Sequence, residues 1–353
     1  MTISLTKDTS NWQADESLAA SYRAYSALIP ARRNFTSYVE TETLGYSDLS
    51  LLHVSRQMGT LEAPQNVLLF GPTGPGKTSS VLAYGARERE AVAVLSCSGG
   101  GDTRKWWGKW IPRPDGQPGL VWRDGLLTAM VRFGGIALYD EINMLRPDVS
   151  AGVFTALRQG FIILEDRDDE IVHAPHEFVG HEHQDECPAA CPFEGVCDVC
   201  HDVEAGLPHE RFNDGHYLLQ VGAMNPGYEG TRALNPALHN RFTLHLHRPY
   251  ERDVEEELVD CTALLDLAQE LRKGVAEGTL ETETPTNALR EFDTWAKHLG
   301  VHFAVGNFVN RFQPHEVPVV RTYLSDLVLS RLVDYYGDDD AADADADAAE
   351  EDA

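Results

Sequence analysis

Five short apolar runs punctuate the first 250 residues, at 66–70, 91–97, 135–139, 217–223 and 242–246, and each reads as a buried strand. In the last of them Thr243 and His245 alternate with apolar neighbours. Helical periodicity falls between the runs, over 78–89, 124–132 and 147–159. Strands that alternate with helices predict an α/β fold with a parallel sheet covered on both faces. Past residue 251 no convincing strand follows. The stretches 254–271, 287–299 and 318–335 carry amphipathic helical patterns and predict a helical second domain. Residues 1–60 are mixed and helix-leaning, punctuated by Pro30 and Pro64. The expected division is an N-terminal segment 1–60, an α/β domain 61–250, a helical domain 251–336 and a tail 337–353.

Charge sharpens this picture. The chain of 353 residues carries a formal net charge of −27. Of that, −13 lies in 165–215 and −9 in 338–353, leaving about −5 for the rest. The tail, with its Asp-Ala repeats, cannot bury a core. Phosphate binding by nucleic-acid proteins needs clustered Lys and Arg, so generic binding to DNA, RNA or anionic membrane is not expected. No apolar run approaches the roughly 20 residues that cross a bilayer. The first seventeen residues lack the apolar stretch of a signal peptide, which leads to an expected cytoplasmic location.

Chemistry enters at Gly71-Pro72-Thr73-Gly74-Pro75-Gly76-Lys77-Thr78, which matches G-x-x-x-x-G-K-[ST] at every fixed position. It follows a predicted strand and opens a predicted helix. Backbone N–H groups of such a loop curl around phosphate oxygens, Lys77 reaches the β- and γ-phosphates of ATP, and the Thr78 hydroxyl ligates Mg²⁺. Some sixty residues later a strand delivers Asp140 and Glu141 at its C-terminal end. Asp140 is suited to the Mg²⁺ shell and Glu141 to polarising an attacking water. The competing reading of this acidic pair is a helix N-terminus.

The run Leu138-Tyr139-Asp140-Glu141-Ile142-Asn143, with Asn225-Pro226-Gly227-Tyr228 and Asn235-Pro236-Ala237-Leu238-His239-Asn240-Arg241-Phe242, resembles the MoxR-type AAA+ ATPases. Within them it is most similar to the CbbQ/NirQ/NorQ group that includes the gas-vesicle protein GvpN. The resemblance runs from about residue 60 to about 312. It implies an AAA+ P-loop NTPase with a five-stranded parallel sheet and a C-terminal helical lid. It implies that Asn225 is the sensor 1 residue that orients water, and that Arg241 reaches the γ-phosphate of a neighbouring subunit, which requires a ring, usually hexameric. A protein client is implied as well, such as a metalloenzyme or a von Willebrand A domain protein. One departure stands out: Asn287 occupies the slot of the usual sensor 2 arginine, with Arg290 and Arg311 as possible substitutes.

Two segments lie outside this pattern. Trp106, Trp107, Trp110 and Trp122 cluster within seventeen residues. Core packing or subunit burial, a grip on a protein substrate, and stacking on nucleic acid beside Arg104, Lys105, Lys109 and Arg113 are the readings. Cys187, Cys191, Cys197 and Cys200 sit in an acidic, His-rich insertion over 172–214, expected to interrupt the hairpin before sensor 1. Four thiolates at this spacing can close a tetrahedral shell around Zn²⁺. An Fe–S cluster uses the same ligands, and a metal-free or redox-active cluster also stands. The expected function is Mg²⁺-dependent ATP hydrolysis in a homo-oligomeric ring that remodels or activates a client. The alternatives are a nucleic-acid-stimulated motor of the McrB or helicase kind, and a scaffold that uses ATP for assembly with little turnover.

Overall fold

The computed structural model describes residues 21, 24–25, 27–60, 63–97, 104–113, 116–145, 147–173, 218–226 and 234–337. Cys187, Cys191, Cys197, Cys200 and the acidic tail lie outside the described residues. Contacts divide the chain into two units, Met1–Gly71 with Gly76–His247, and Pro72–Pro75 with Arg248–Ala353.

After a single 3-10 turn at Arg32–Asn34, the first unit has a two-stranded ribbon, β1 (Glu42–Thr43) and β2 (Tyr46–Ser47), and helix α1 (Asp48–Met58). Ser47 caps α1 by accepting from the Ser50 N–H at 3.2 Å. Then follow β3 (Val67–Phe70), α2 (Lys77–Glu88), β4 (Val92–Ser96) and the short α3 (Arg104–Trp107). A hairpin, β5 (Gly108–Pro112) and β6 (Leu120–Asp124), leads to α4 (Leu126–Phe133) and β7 (Gly135–Asp140). Next come α5 (Pro147–Gln159) and a second hairpin, β8 (Phe161–Leu164) and β9 (Glu170–His173). The unit ends with β10 (Leu218–Met224), α6 (Pro236–His239) and β11 (Leu244–His247).

The five apolar runs pair in the order β11-β3-β10-β7-β4, every pairing parallel. Side chains alternate across each strand, so each face acquires its own core. On one face Leu68, Ala137 and Tyr139 pack with Trp122, Leu127, Met130 and Leu157 from α4, α5 and β6. On the other, Val67, Leu69, Ile136, Leu138 and Val221 pack with Leu49, Leu52, Val81 and Tyr84 from α1 and α2. A polar side chain, Gln220, is buried in the middle of β10. Gln220 accepts from the Tyr139 hydroxyl at 2.7 Å and donates to Ala156 O at 2.9 Å, so its burial leaves neither end unpaired.

Three expectations change. The β5–β6 hairpin is a short-range structure that no apolar run announced. Val172 and His173 belong to β9, with Val172 buried, so the 172–214 insertion begins after a completed hairpin and lies between β9 and β10. The helical stretches of the second unit are also more broken than their periodicity.

That unit comprises α7 (Arg252–Leu258), α8 (Thr262–Ala276), α9 (Thr286–Leu299), α10 (Val301–Val309), α11 (Val317–Tyr323) and α12 (Asp326–Tyr336). The expected 254–271 helix is two helices, because Val259 adopts an extended conformation at φ −144 and ψ 110. Val259 and Cys261 are both buried there, so apolar spacing continues through a break in the helix. The expected 318–335 helix breaks likewise at Leu324 and Ser325. The core of the unit gathers Leu264, Leu271, Leu289, Phe292 and Phe308.

A buried charge pair organises its start. Arg272 donates to both carboxylate oxygens of Glu255 at 2.7 Å, Thr286 donates to the same carboxylate at 2.6 Å, and the guanidinium stacks 3.6 Å from the Tyr250 ring centroid. The Tyr250 hydroxyl reaches Thr73 O at 2.6 Å, and Thr73 N–H donates to Glu283 at 3.2 Å. No helix among the described residues is long and apolar enough to cross a membrane.

Candidate functional site

Parallel strands deliver their C-terminal ends to one edge of the sheet, which is where the chemistry-bearing residues gather. The loop after β3, the end of β7 and the end of β10 lie side by side: Met224 is in register with Phe70, and Gly71 N–H donates to Met224 O at 3.3 Å. At the entry to α2, Gly76 sits in the left-handed region at φ 86, a conformation that a side chain resists. This turn points the first N–H groups of α2 toward the loop, the arrangement that binds anions. Pro72 and Pro75 have no N–H, so the loop can donate only from its other positions. Lys77 is buried, and its Nζ donates to Gly71 O at 3.0 Å.

Asp140 ends β7 beside these residues. Burial raises its carboxyl above the usual range, and neighbouring Glu141 raises it further. The Glu141 N–H, Lys77 and the Thr78 hydroxyl act in the opposite sense without cancelling the rise. The donor set consists of hard oxygens, the Thr78 hydroxyl and the Asp140 carboxylate among them. A divalent cation would offset two adjacent carboxylates, so these residues fit Mg²⁺. Glu141 itself adopts φ 55 and ψ 45, a left-handed conformation that is strained for a residue with a side chain. Such strain marks a side chain whose direction is imposed by its surroundings.

Asn225 follows β10, and its Oδ1 is buried with no hydrogen-bond partner among the described residues. Its backbone O accepts from Asn143 Nδ2 at 3.4 Å, which ties the turn after β7 to the turn after β10. Asn143 is a positioning contact that spacing alone does not reveal.

These observations have a counterpart among known proteins: the AAA domain of the dynein-related subfamily matches residues 66–242. The chain belongs to this AAA family. The match covers four of the five sheet strands, β3, β4, β7 and β10, and ends just before β11. An uncharacterized protein of Staphylococcus haemolyticus is 29% identical over 203 residues, 56% of this chain and 60% of its own length. An uncharacterized protein of Staphylococcus aureus strain bovine RF122 is 28% identical over 207 residues, 57% of this chain and 62% of its own length. The chain thus spans about three fifths of the length of these curated relatives.

Within the AAA domain, Lys77, Thr78, Asp140, Glu141 and Asn225 come together at the sheet edge. Arg241 does not join them. Its Nη1 donates to Ala237 O, its guanidinium lies 4.7 Å from the Phe154 ring centroid, and its backbone O accepts from Asn66 Nδ2 at 2.9 Å. In the second unit, Asn287 is exposed in the first turn of α9, and Arg311 pairs with Glu291 at 2.6 Å. The tryptophans divide. Trp122 is fully buried and donates to Asp124 Oδ1 at 2.8 Å, while Trp106 and Trp107 pack against the core. Trp110 stays half exposed, edge-on to Trp122 at 5.6 Å, and its indole N–H donates to Asp166 O at 3.3 Å. The four clustered cysteines fall outside the described residues, and among the described residues no group of three His, Cys, Asp or Glu forms a metal site.

Proposed function

We propose that this AAA domain hydrolyses ATP with Mg²⁺ in a homo-oligomeric ring, hexameric by resemblance, and that turnover remodels or activates a client protein. The observation that carries the proposal is the grouping of Lys77, Thr78, Asp140 and Glu141 at the edge where β3 and β7 end, with Asn225 Oδ1, buried without a partner among the described residues, after β10. Thr78 and Asp140 would hold Mg²⁺, which when bound would supply charge neutralisation on the phosphates. Lys77 and the N–H groups from Gly76 onward bind the phosphate oxygens. Glu141 takes a proton from the attacking water, and Asn225 orients that water through Oδ1. Arg241, directed at a neighbouring copy's ATP, meets the charge that spreads over the transferred phosphoryl group.

Zinc at Cys187, Cys191, Cys197 and Cys200 belongs to the same proposal, as an ordering element for the 172–214 insertion. A client that is a metalloenzyme or a von Willebrand A domain protein, and a cytoplasmic setting, remain parts of it that rest on the resemblance and the composition.

Glu141→Gln tests the reading. The side chain keeps its size and loses its basicity, so the variant should bind ATP as tightly as the parent and turn it over at least about 100-fold more slowly. Measured ATPase at the parental rate would sink the assignment.

A further inference from the structure

We propose that Asn66 and Phe154 are positioning residues that hold Arg241 in the pose from which it reaches a neighbouring copy's phosphates; this rests on the reading of Arg241 given above. Asn66 is fully buried and lies 175 residues from Arg241 in sequence. Its Nδ2 donates to Arg241 O at 2.9 Å and to Leu157 O at 2.9 Å. Two carbonyl acceptors converge on one side-chain NH₂, so only the donor end of an amide can face them. The opposite end of the same amide, Oδ1, is buried without a partner among the described residues. That is a cost in stability which the two donated bonds must offset.

The bonds link the parts that matter to Arg241. Leu157 O belongs to the last turn of α5, where helical carbonyls lack their intrahelical partners. Phe154, one turn earlier on the same helix, supplies the ring under the guanidinium at 4.7 Å. The Asn66 main-chain O accepts from the N–H groups of Thr243 at 2.9 Å and Leu244 at 3.2 Å. One residue therefore holds the chain at Arg241 and just beyond it, and holds the helix that carries the ring. Arg241 Nε is itself buried without a partner among the described residues, so the guanidinium is packed into this pose from one side.

The rival explanation is that Asn66 only shapes β3, and through it the phosphate loop of its own chain. Mixed assemblies separate the two. Arg241→Ala, Asn66→Asp and Phe154→Leu are each made in the full chain, and each is co-expressed with Lys77→Ala under a second tag and purified through both tags. Asn66→Asp keeps the size of the side chain and presents oxygens to both carbonyls. Alone, Asn66→Asp and Phe154→Leu should lower kcat by about 10- to 100-fold, since misplacement of a catalytic group by about 1 Å costs that much, with ATP affinity unchanged. In mixed assemblies, turnover should recover, because a Lys77→Ala chain supplies a well-held Arg241 to a chain whose phosphate loop is intact. If Arg241→Ala recovers and the other two do not, or if they are fully active alone, the positioning proposal is overturned. If Arg241→Ala is fully active alone, or fails to recover, the reading of Arg241 itself fails. Should Asn66→Asp not fold, as judged by circular dichroism, Phe154→Leu at its half-buried position decides the matter.

Discussion

Gly108 shows how much a single residue can be constrained by what surrounds it. It begins β5 at φ 139, and a Cβ there would lie 2.4 Å from Trp122 Cζ2 and 2.8 Å from Arg123 O. The indole cannot yield, since Trp122 is fully buried and its N–H is committed to Asp124. Gly108→Ala should therefore destabilise the α/β unit by about 1–3 kcal/mol, read as a lower denaturant midpoint with an unchanged slope. A midpoint equal to the parent's would mean the hairpin shifts at no cost. At this scale the place of the glycine-rich loop 71–76, between a strand and the helix it opens, was legible in the sequence, because the pattern is local: eight consecutive residues. Asn66 was not. Its partners are 91 and 175 residues away, and nothing in an Asn before an apolar run announces two distant carbonyls. The left-handed backbone of Glu141 was equally hidden, since its side chain argues against that conformation.

Among the elements, strands proved easier to locate than helix ends. A buried parallel strand is a short continuous apolar run, and β3, β4, β7, β10 and β11 each lie within a residue or two of such a run. A helix break that keeps its apolar spacing leaves no trace in periodicity, which is why α7 with α8, and α11 with α12, read as single helices. The polar contacts that fix those helices are also tertiary. The carboxylate of Glu316, buried at the start of α11, accepts from the Thr282 hydroxyl and from the N–H groups of Thr282, Glu281 and Gln313. Burial alone would raise this carboxyl, but the four donors outweigh it and hold it at about 2. A depressed folded value gives stability that is present above the unfolded value, near 4.5, and lost as pH falls toward 2. Glu316→Gln should remove on the order of 1–3 kcal/mol at pH 7 and flatten that part of the acid unfolding curve. An acid transition identical to the parent's between pH 5 and pH 2 would show that Glu316 is not what titrates.

For the whole molecule, the charge of −27 resolves into a body near −5 and two acidic segments, 165–215 and 338–353. The cysteine cluster in the first of these makes a prediction of its own. The purified chain should carry about one Zn²⁺, and Cys197→Ser with Cys200→Ser should release it, as read by elemental analysis. Iron in its place would point to a cluster, and a metal-free chain would remove the zinc reading. Deleting residues 180–208 should leave ATPase activity intact if the insertion serves client recognition, whereas loss of basal turnover would make it structural. The sequence by itself determined the alternation of strands and helices, and the loop and carboxylates at the strand ends. Those signals are local, or repeat with the period of the backbone. Only the tertiary structure decided the strand order, the division of the tryptophans into buried and half-exposed, and the contacts of Asn66 and Phe154 with Arg241. These depend on contacts between residues far apart in the chain, whose pairing is set by how the two faces of the sheet are filled.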